Sequence, residues 1–199
     1  VSAKRSTVAH HVAVAGTGGG VGCTTTAALL FTSLTERTGR APVLYDRSAG
    51  TLGARLPEGD DVLELDVTLA LHDLGAHAIG AGVDVLDDPA ALLVVVSPLT
   101  PAGAGACDAV FEAAERRFGP RGRKRVLAAL VPVFGRHRMR RRLAEMDDAH
   151  GPDTIVAFPR DAALAAGGRI PLSRLSPSTM SAASRLAGEL ATRIALRSR

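Results

Sequence analysis

The residues with the clearest chemical potential lie in one short segment, Gly16-Thr17-Gly18-Gly19-Gly20-Val21-Gly22-Cys23-Thr24-Thr25. An apolar run, Val12-Ala13-Val14-Ala15, leads into the glycines, and Thr24-Thr25-Thr26-Ala27-Ala28-Leu29-Leu30 reads as the opening of a helix. Strand, glycine loop and helix N-terminus together form a cradle for phosphate. Glycines let backbone N–H groups turn inward, and the helix dipole favours the anion they surround. The phosphate-binding motif ends in Gly-Lys-[Ser/Thr], and here Cys23 stands at the lysine position. The loop has the backbone of an anion site without its cation. Read purely structurally, the same glycines make a tight turn that packs a helix close to a sheet.

Other reactive side chains are less suggestive. Cys23 at a helix start invites a redox reading, because that position lowers a thiol pKa. A neutral filler at the place of a lysine is the expected role. His10, His11, His72 and His77 have neither the cysteine company nor the spacing of a zinc site and are expected in the core or at its rim. Two basic clusters stand out: Arg121, Arg123, Lys124 and Arg125, then Arg136, Arg138, Arg140, Arg141 and Arg142. They flank one apolar run, so in a wound α/β fold they belong to opposite sheet edges, the second on the ligand-binding side.

Stepping along the chain, apolar runs alternate with helical patterns. Val8–Ala15 reads as a buried strand and Thr24–Thr38 as a helix closed by Gly39. A second strand, Val43-Leu44-Tyr45, ends at Asp46. Positions 63, 65, 67, 69 and 71 are all Leu or Val, a period of two that marks a strand with a half-exposed first part. Leu92–Val96 is a buried strand, Ala102–Phe118 a helix, Val126–Val133 a strand, and Arg136–Met146 a basic helix. Ile155–Ala157 is a short last strand before a closing helix, Thr179–Leu196. Strands separated by helices predict an α/β fold with a mainly parallel, doubly wound sheet and helices on both faces, as a single domain over 1–199.

Composition narrows the class. The 199 residues are 46% apolar, enough for a sizeable core. No run reaches membrane-span length, residues 1–7 do not resemble a signal peptide, and two cysteines give no disulfide framework. A cytoplasmic protein is the expectation, with no membrane attachment. Of the 24 basic residues, 22 are Arg, and Asn, Gln and Trp are absent, a bias in keeping with a GC-rich genome. Charge is divided unevenly: residues 1–115 carry 6 Lys/Arg against 14 Asp/Glu, and residues 116–199 carry 18 against 6. The basic half suggests a polyanion, including sequence-independent DNA, or an acidic protein partner, against a merely solvated surface.

In order and motif the chain resembles the ParA/MinD family of P-loop ATPases. Gly18–Thr25 is similar to its loop Lys-Gly-Gly-Val-Gly-Lys-Thr-Thr, and Val43–Asp46 to its strand ending in a switch aspartate. Leu69–Gly75 resembles its Walker B strand, Leu93–Thr100 the next strand with its proline, and Ile155–Asp161 with Ala162–Gly168 its last strand and adenine loop. The resemblance implies ATP/ADP contacts from Gly18, Gly19, Gly20, Val21, Gly22, Cys23, Thr24, Thr25, Pro159 and Asp161. It implies Mg²⁺ near Thr24, Asp46 and Asp73, a homodimer and a protein partner. The departures are equally specific. The family lysines fall at Gly18 and Cys23, its second switch aspartate at Ser48, and the chain has no asparagine to read adenine. The stretch from Asp46 to Asp73 is short for the family. In MinD-like proteins a C-terminal amphipathic helix can bind membrane. The closing helix, with its narrow stripe of Leu186, Leu190 and Ile194, is expected to pack on the sheet instead.

The expectation is therefore a ParA/MinD-like regulatory or positioning protein with a degenerate nucleotide site and little or no hydrolysis. One alternative is an active Mg-ATPase in which arginines, from Arg136–Arg142, replace the lysines. Another is a nucleotide-independent scaffold that binds DNA or an acidic protein through its basic half.

Overall fold

The computed structural model of the chain describes residues 9–48, 51–57, 64–133, 136–151 and 153–197, with 136–140 as backbone alone. Six strands form one sheet: β1 (His10–Gly16), β2 (Ala41–Asp46), β3 (Leu65–Asp73), β4 (Ala91–Pro98), β5 (Val126–Val131) and β6 (Ile155–Ala157). Their spatial order is β2-β3-β1-β4-β5-β6, and every neighbouring pair is parallel. The helices are α1 (Cys23–Thr38), α2 (Leu52–Arg55), α3 (Pro101–Arg123), α4 (Arg136–His150), α5 (Ala162–Ala165) and α6 (Pro177–Ala195).

Strand alternation sorts the core into two layers. Val12, Val14, Leu92, Val94, Val96 and Leu127 face Leu29, Leu30 and Leu34 of α1 and Leu186 and Leu190 of α6. Ala13, Ala15, Leu93, Val95, Ala128 and Leu130 face Val110 and Phe111 of α3, Met146 of α4 and Leu86. Strands buried on both faces read as continuous apolar runs, which is why Leu92–Val96 shows no period of two. By contrast β3 begins exposed, with Leu65 and Val67 open, and is buried from Leu69 to Asp73. The doubly wound parallel architecture is the predicted one.

Element ends differ from expectation where local chemistry sets them. Gly39 closes α1 in the left-handed region (φ 72°), its N–H donating to Thr35 O. Gly119 breaks α3 with φ 68° and ψ −165°, so its long part stops at Phe118 as the pattern predicts. Pro120–Arg123 is a separate last turn carrying Arg121 and Arg123 of the first basic cluster, with Lys124 and Arg125 just after it. The β5 strand stops at Val131, two residues earlier than predicted. Among the described residues no helix is long and apolar enough to cross a membrane, and α6 buries Leu186 and Leu190 in the core, as expected. The predicted strand residues Val8 and Leu63 lie outside the described residues.

Candidate nucleotide site

Strand register brings the chemically interesting residues to one edge. Asp46 is paired with Asp73 across β2 and β3, and Val14 with Asp73 across β3 and β1. The two aspartates end their strands and Val14 stands two residues before the end of β1, beside the point where the chain leaves β1 for α1 and its neighbours β3 and β4 diverge. In open parallel sheets that crevice is where ligands bind.

The glycine loop fills it. Gly20 and Gly22 have φ of 72° and 94°, a region side chains avoid. Gly22 caps α1 without a side-chain hydrogen bond, and the first turn carries no acid. The leading N–H groups of α1 thus have no side-chain acceptor at the cap, the condition for holding an anion. Thr17 anchors the other end, its N–H to Val96 O at 2.9 Å and its hydroxyl against Ser97 Oγ at 2.8 Å.

A cavity of about 300 Å³ lies between this loop and the segment after β6. Gly20, Val21, Gly22 and Thr25 form one wall, and Pro159, Arg160 and Asp161 the other, with Leu29, Val131 and Phe158 at its apolar end. Six of the ten predicted nucleotide contacts, Gly20, Val21, Gly22, Thr25, Pro159 and Asp161, are thereby brought to one cleft from residues more than a hundred positions apart in the chain, and Gly18 and Gly19 do not line it. Gly19 is exposed, Gly18 and Thr24 are half-buried, and neither Cys23 nor Thr24 lines the cavity.

Cys23 does not take the lysine's direction. It is 7% exposed and turned under the loop, its thiol donating to Asp73 Oδ1 at 3.2 Å, with Val14 O, at 3.3 Å, the other acceptor in reach. Burial first, then the Asp73 charge, push its pKa far above the ordinary thiol value. The helix N-terminus does not activate it. This is the filler role expected from the sequence.

The two aspartates are engaged by the chain itself. Asp73 is fully buried, with Oδ1 accepting from the Cys23 thiol and from Gly75 N–H and Oδ2 accepting from the Ser48 hydroxyl at 2.9 Å. Asp46 Oδ1 accepts from Ser48 N–H and faces the Ser48 hydroxyl at 2.8 Å, while Oδ2 accepts from Leu52 N–H at 2.8 Å. Ser48 is therefore a neutral bridge between two carboxylates. Among the described residues no group of three or more His, Cys, Asp or Glu side chains is arranged to hold a metal ion. Mg²⁺ needs few protein ligands where phosphate oxygens and water supply the rest, and Thr24, Asp46 and Asp73 are the groups here that would meet it.

Asp161 has a supporting role. Its carboxylate caps α5 at Ala163 N–H and accepts from Ser176 N–H at 2.9 Å and from the Thr179 hydroxyl at 2.7 Å. Those bonds hold its pKa below the usual carboxylate value, the Ser176 N–H contributing most. It fixes the loop after β6 against α6 and so shapes the cavity wall.

Two cations at the cleft were missed by sequence reasoning. Arg55 of α2 donates through Nε to Thr25 Oγ1 at 3.0 Å and through Nη1 to Gly168 O at 2.8 Å, and it also reaches Leu164 O. It joins the segment after Asp46 to both walls. Arg160 lies on the far wall. Arg55 stands in no motif or periodic pattern, and nothing in the Ile155–Asp161 segment singles out Arg160, so spatial proximity reveals both.

Among the arginines expected to replace the lysines, Arg141 and Arg142 are engaged elsewhere. Helix α4 does start at the loop edge, after β5, but Arg141 and Arg142 both donate to Glu145, at 2.9 and 3.0 Å. The side chains of Arg136, Arg138 and Arg140 lie outside what is described. The other cluster sits at the opposite edge, as the sequence order required. Arg125 there is 7% exposed and donates to Asp88 O at 2.9 Å, and Arg123 is paired with Glu115 at 2.9 Å.

No family model and no curated protein matches the sequence. Solved structures match it by fold. A chain of the MinC:MinD cell division protein complex from Aquifex aeolicus aligns with a TM-score of 0.63 and 18% identity, over 92% of this chain and 96% of that one. The ParA family ATPase from Chlorobium tepidum TLS aligns with a TM-score of 0.62 and 14% identity, over 92% of this chain and 99% of that one. A nucleotide-binding protein in complex with ADP from Archaeoglobus fulgidus aligns with a TM-score of 0.52 and 16% identity, over 90% and 88%. The fold is that of the MinD and ParA-family ATPases, the P-loop NTPase-like α/β class.

Proposed function

We propose that this protein is a single-domain, ParA/MinD-like regulatory or positioning protein that binds a nucleotide weakly and hydrolyses it little or not at all. One observation carries the reading: at the lysine position the Cys23 thiol is buried against Asp73, while the cavity between loop and β6 segment stays open. Backbone N–H groups and an apolar base pocket support binding. Phosphoryl transfer, however, depends on cations at the developing charge, and losing such a group commonly costs orders of magnitude in rate. With Gly18 in place of the other lysine, no cation from that position reaches across a homodimer. The activity would lie in dimerisation or partner contact, in a cytoplasmic setting. Calorimetric titration with ATP and ADP, with and without Mg²⁺, tests this: measurable binding without turnover supports it, and no binding of either nucleotide refutes it.

Arg55 favours a second reading, an active Mg-ATPase in which an arginine restores the missing charge. Its guanidinium already reaches Thr25, the residue after the hydroxyl position Thr24. Turnover of ATP that Arg55→Ala abolishes would establish it.

A further inference from the structure

A second, larger hollow, of about 1110 Å³, lies at the other end of the sheet, where β4 and β5 begin and α6 ends. Its floor and rim include apolar side chains, Leu86, Phe118 and Leu196, the last 67% exposed. Around them stand Arg121, Arg123, Lys124, Arg125, Arg193 and Arg197. Asp87, the acid on its wall, is bound to Arg117 at 2.7 Å, and nearby Asp88 faces His11 at 3.5 Å.

The arginine charges are mostly uncompensated. Arg125 donates to Asp88 O at 2.9 Å with its guanidinium 4.9 Å from the centre of the Phe118 ring. Arg193 donates to Lys124 O at 2.8 Å, to Val126 O at 3.0 Å and to Thr154 Oγ1 at 3.2 Å. Arg197 donates to Pro89 O at 2.8 Å and Ala91 O at 3.2 Å. Carbonyls satisfy N–H groups without cancelling charge, and among the described residues none of these three forms an ion pair. Burial weighs against all three charges, and Arg125 and Arg193 weigh further against Arg197, with partial relief from Asp87, Asp88, Asp153 and Glu189. Desolvated cations gathered without counterions are costly unless an anion completes them.

The shape decides which anion. Guanidinium forks suit phosphate and carboxylate alike, but a nucleic-acid backbone is polar and leaves apolar walls unfilled, whereas this hollow is lined in part by Leu86, Phe118 and Leu196, and Arg125 within it is 7% exposed. Backbone-tied guanidiniums are pre-ordered, planar forks that suit carboxylates, and apolar walls between them suit aliphatic or aromatic anchors. We propose that this hollow docks a segment of a partner protein that combines carboxylate and apolar side chains. The surface lies on the edge away from the nucleotide cleft and does not depend on nucleotide binding.

The test uses the full chain and a fluorescein-labelled peptide alternating Asp/Glu with Leu and Phe, against a matched peptide with Asn/Gln in place of each acid. At low salt the acidic peptide is expected to bind at least about tenfold more tightly than its amide match. The charge reversal Arg121→Glu/Lys124→Glu, at two exposed positions, should weaken the acidic peptide by about tenfold or more and leave the amide peptide unchanged. Leu196→Asp should weaken the acidic peptide from the apolar rim. Absence of binding, equal affinity for the two peptides, or affinity indifferent to both variants would overturn the proposal. So would a DNA duplex that displaces the acidic peptide and loses its own binding in the same variants.

Discussion

The Cys23 thiol donates to Asp73 Oδ1 at 3.2 Å, joining the first turn of α1 to the end of β3. Where the family would direct a cation outward to phosphate, this chain directs a neutral donor inward to a buried carboxylate. On the proposed reading, the cleft keeps the backbone of a phosphate site with a neutral group at the lysine position.

Returning the charge should recover affinity. Cys23→Lys is expected to tighten ATP binding by about 10- to 100-fold, the equivalent of one charge-assisted hydrogen bond of about 1.5–3 kcal/mol. Calorimetry reads the change directly. An unchanged affinity would mean that the new ammonium pairs with Asp73 rather than reaching phosphate.

The thiol itself should be inert. Its pKa is raised by burial and by Asp73, so the neutral form is native across the usual pH range. Cys107, fully buried, is pushed up to about 12 by burial first and Asp108 second. Both contributions to stability are complete below the ordinary thiol value of about 9 and are lost as pH rises from there toward the folded values. Alkylation of native protein at pH 8 should be far slower than of urea-unfolded protein, and the urea midpoint should fall above pH 9.

Acid should act partly through His72. It is 8% exposed, stacks on Tyr45 at 4.7 Å and lies 3.1 Å from His11 Nδ1. Burial, then the charges of His11 and Arg47, lower its pKa from 6.5 to about 4. A lowered folded pKa gives stability that is present above 6.5 and lost as pH falls toward 4. The loss is at most about 3 kcal/mol. His72→Phe, which retains an aromatic ring for Tyr45, should flatten the urea midpoint over that interval.

Removing Asp161 should loosen the cavity wall. Asp161→Ala deletes one helix cap and two further acceptor bonds, and an expected cost is about 1–3 kcal/mol. Because its pKa is lowered in the fold, this stabilisation is present above the ordinary carboxylate value of 3.8 and lost as pH falls through the folded value. Thermal unfolding at neutral pH should show the deficit, together with weaker nucleotide binding if the wall contacts the base.

Much of the fold is legible in the residues themselves. Leu92–Val96 had to be a buried strand, because five consecutive branched side chains can be dry on both faces only inside a covered sheet. Gly39 and the Gly119–Pro120 pair punctuate helices through backbone limits that no packing can change. The glycine loop and Pro159–Asp161 were legible as well, since backbone freedom and a short strand's end are written locally.

What tertiary structure alone decided is where charge and side-chain direction fall. From sequence, Asp46, Ser48 and Asp73 are separate letters; the register that pairs β2 with β3 makes Ser48 a bridge between two carboxylates. Arg55 becomes part of the cleft because α2 lies beside Thr25, and Arg125 is drawn down into the hollow by the Asp88 carbonyl and the Phe118 ring. Strand and helix patterns are set by neighbours a few residues apart. The electrostatics of a site are set by neighbours brought together from across the chain, and those the sequence does not list side by side.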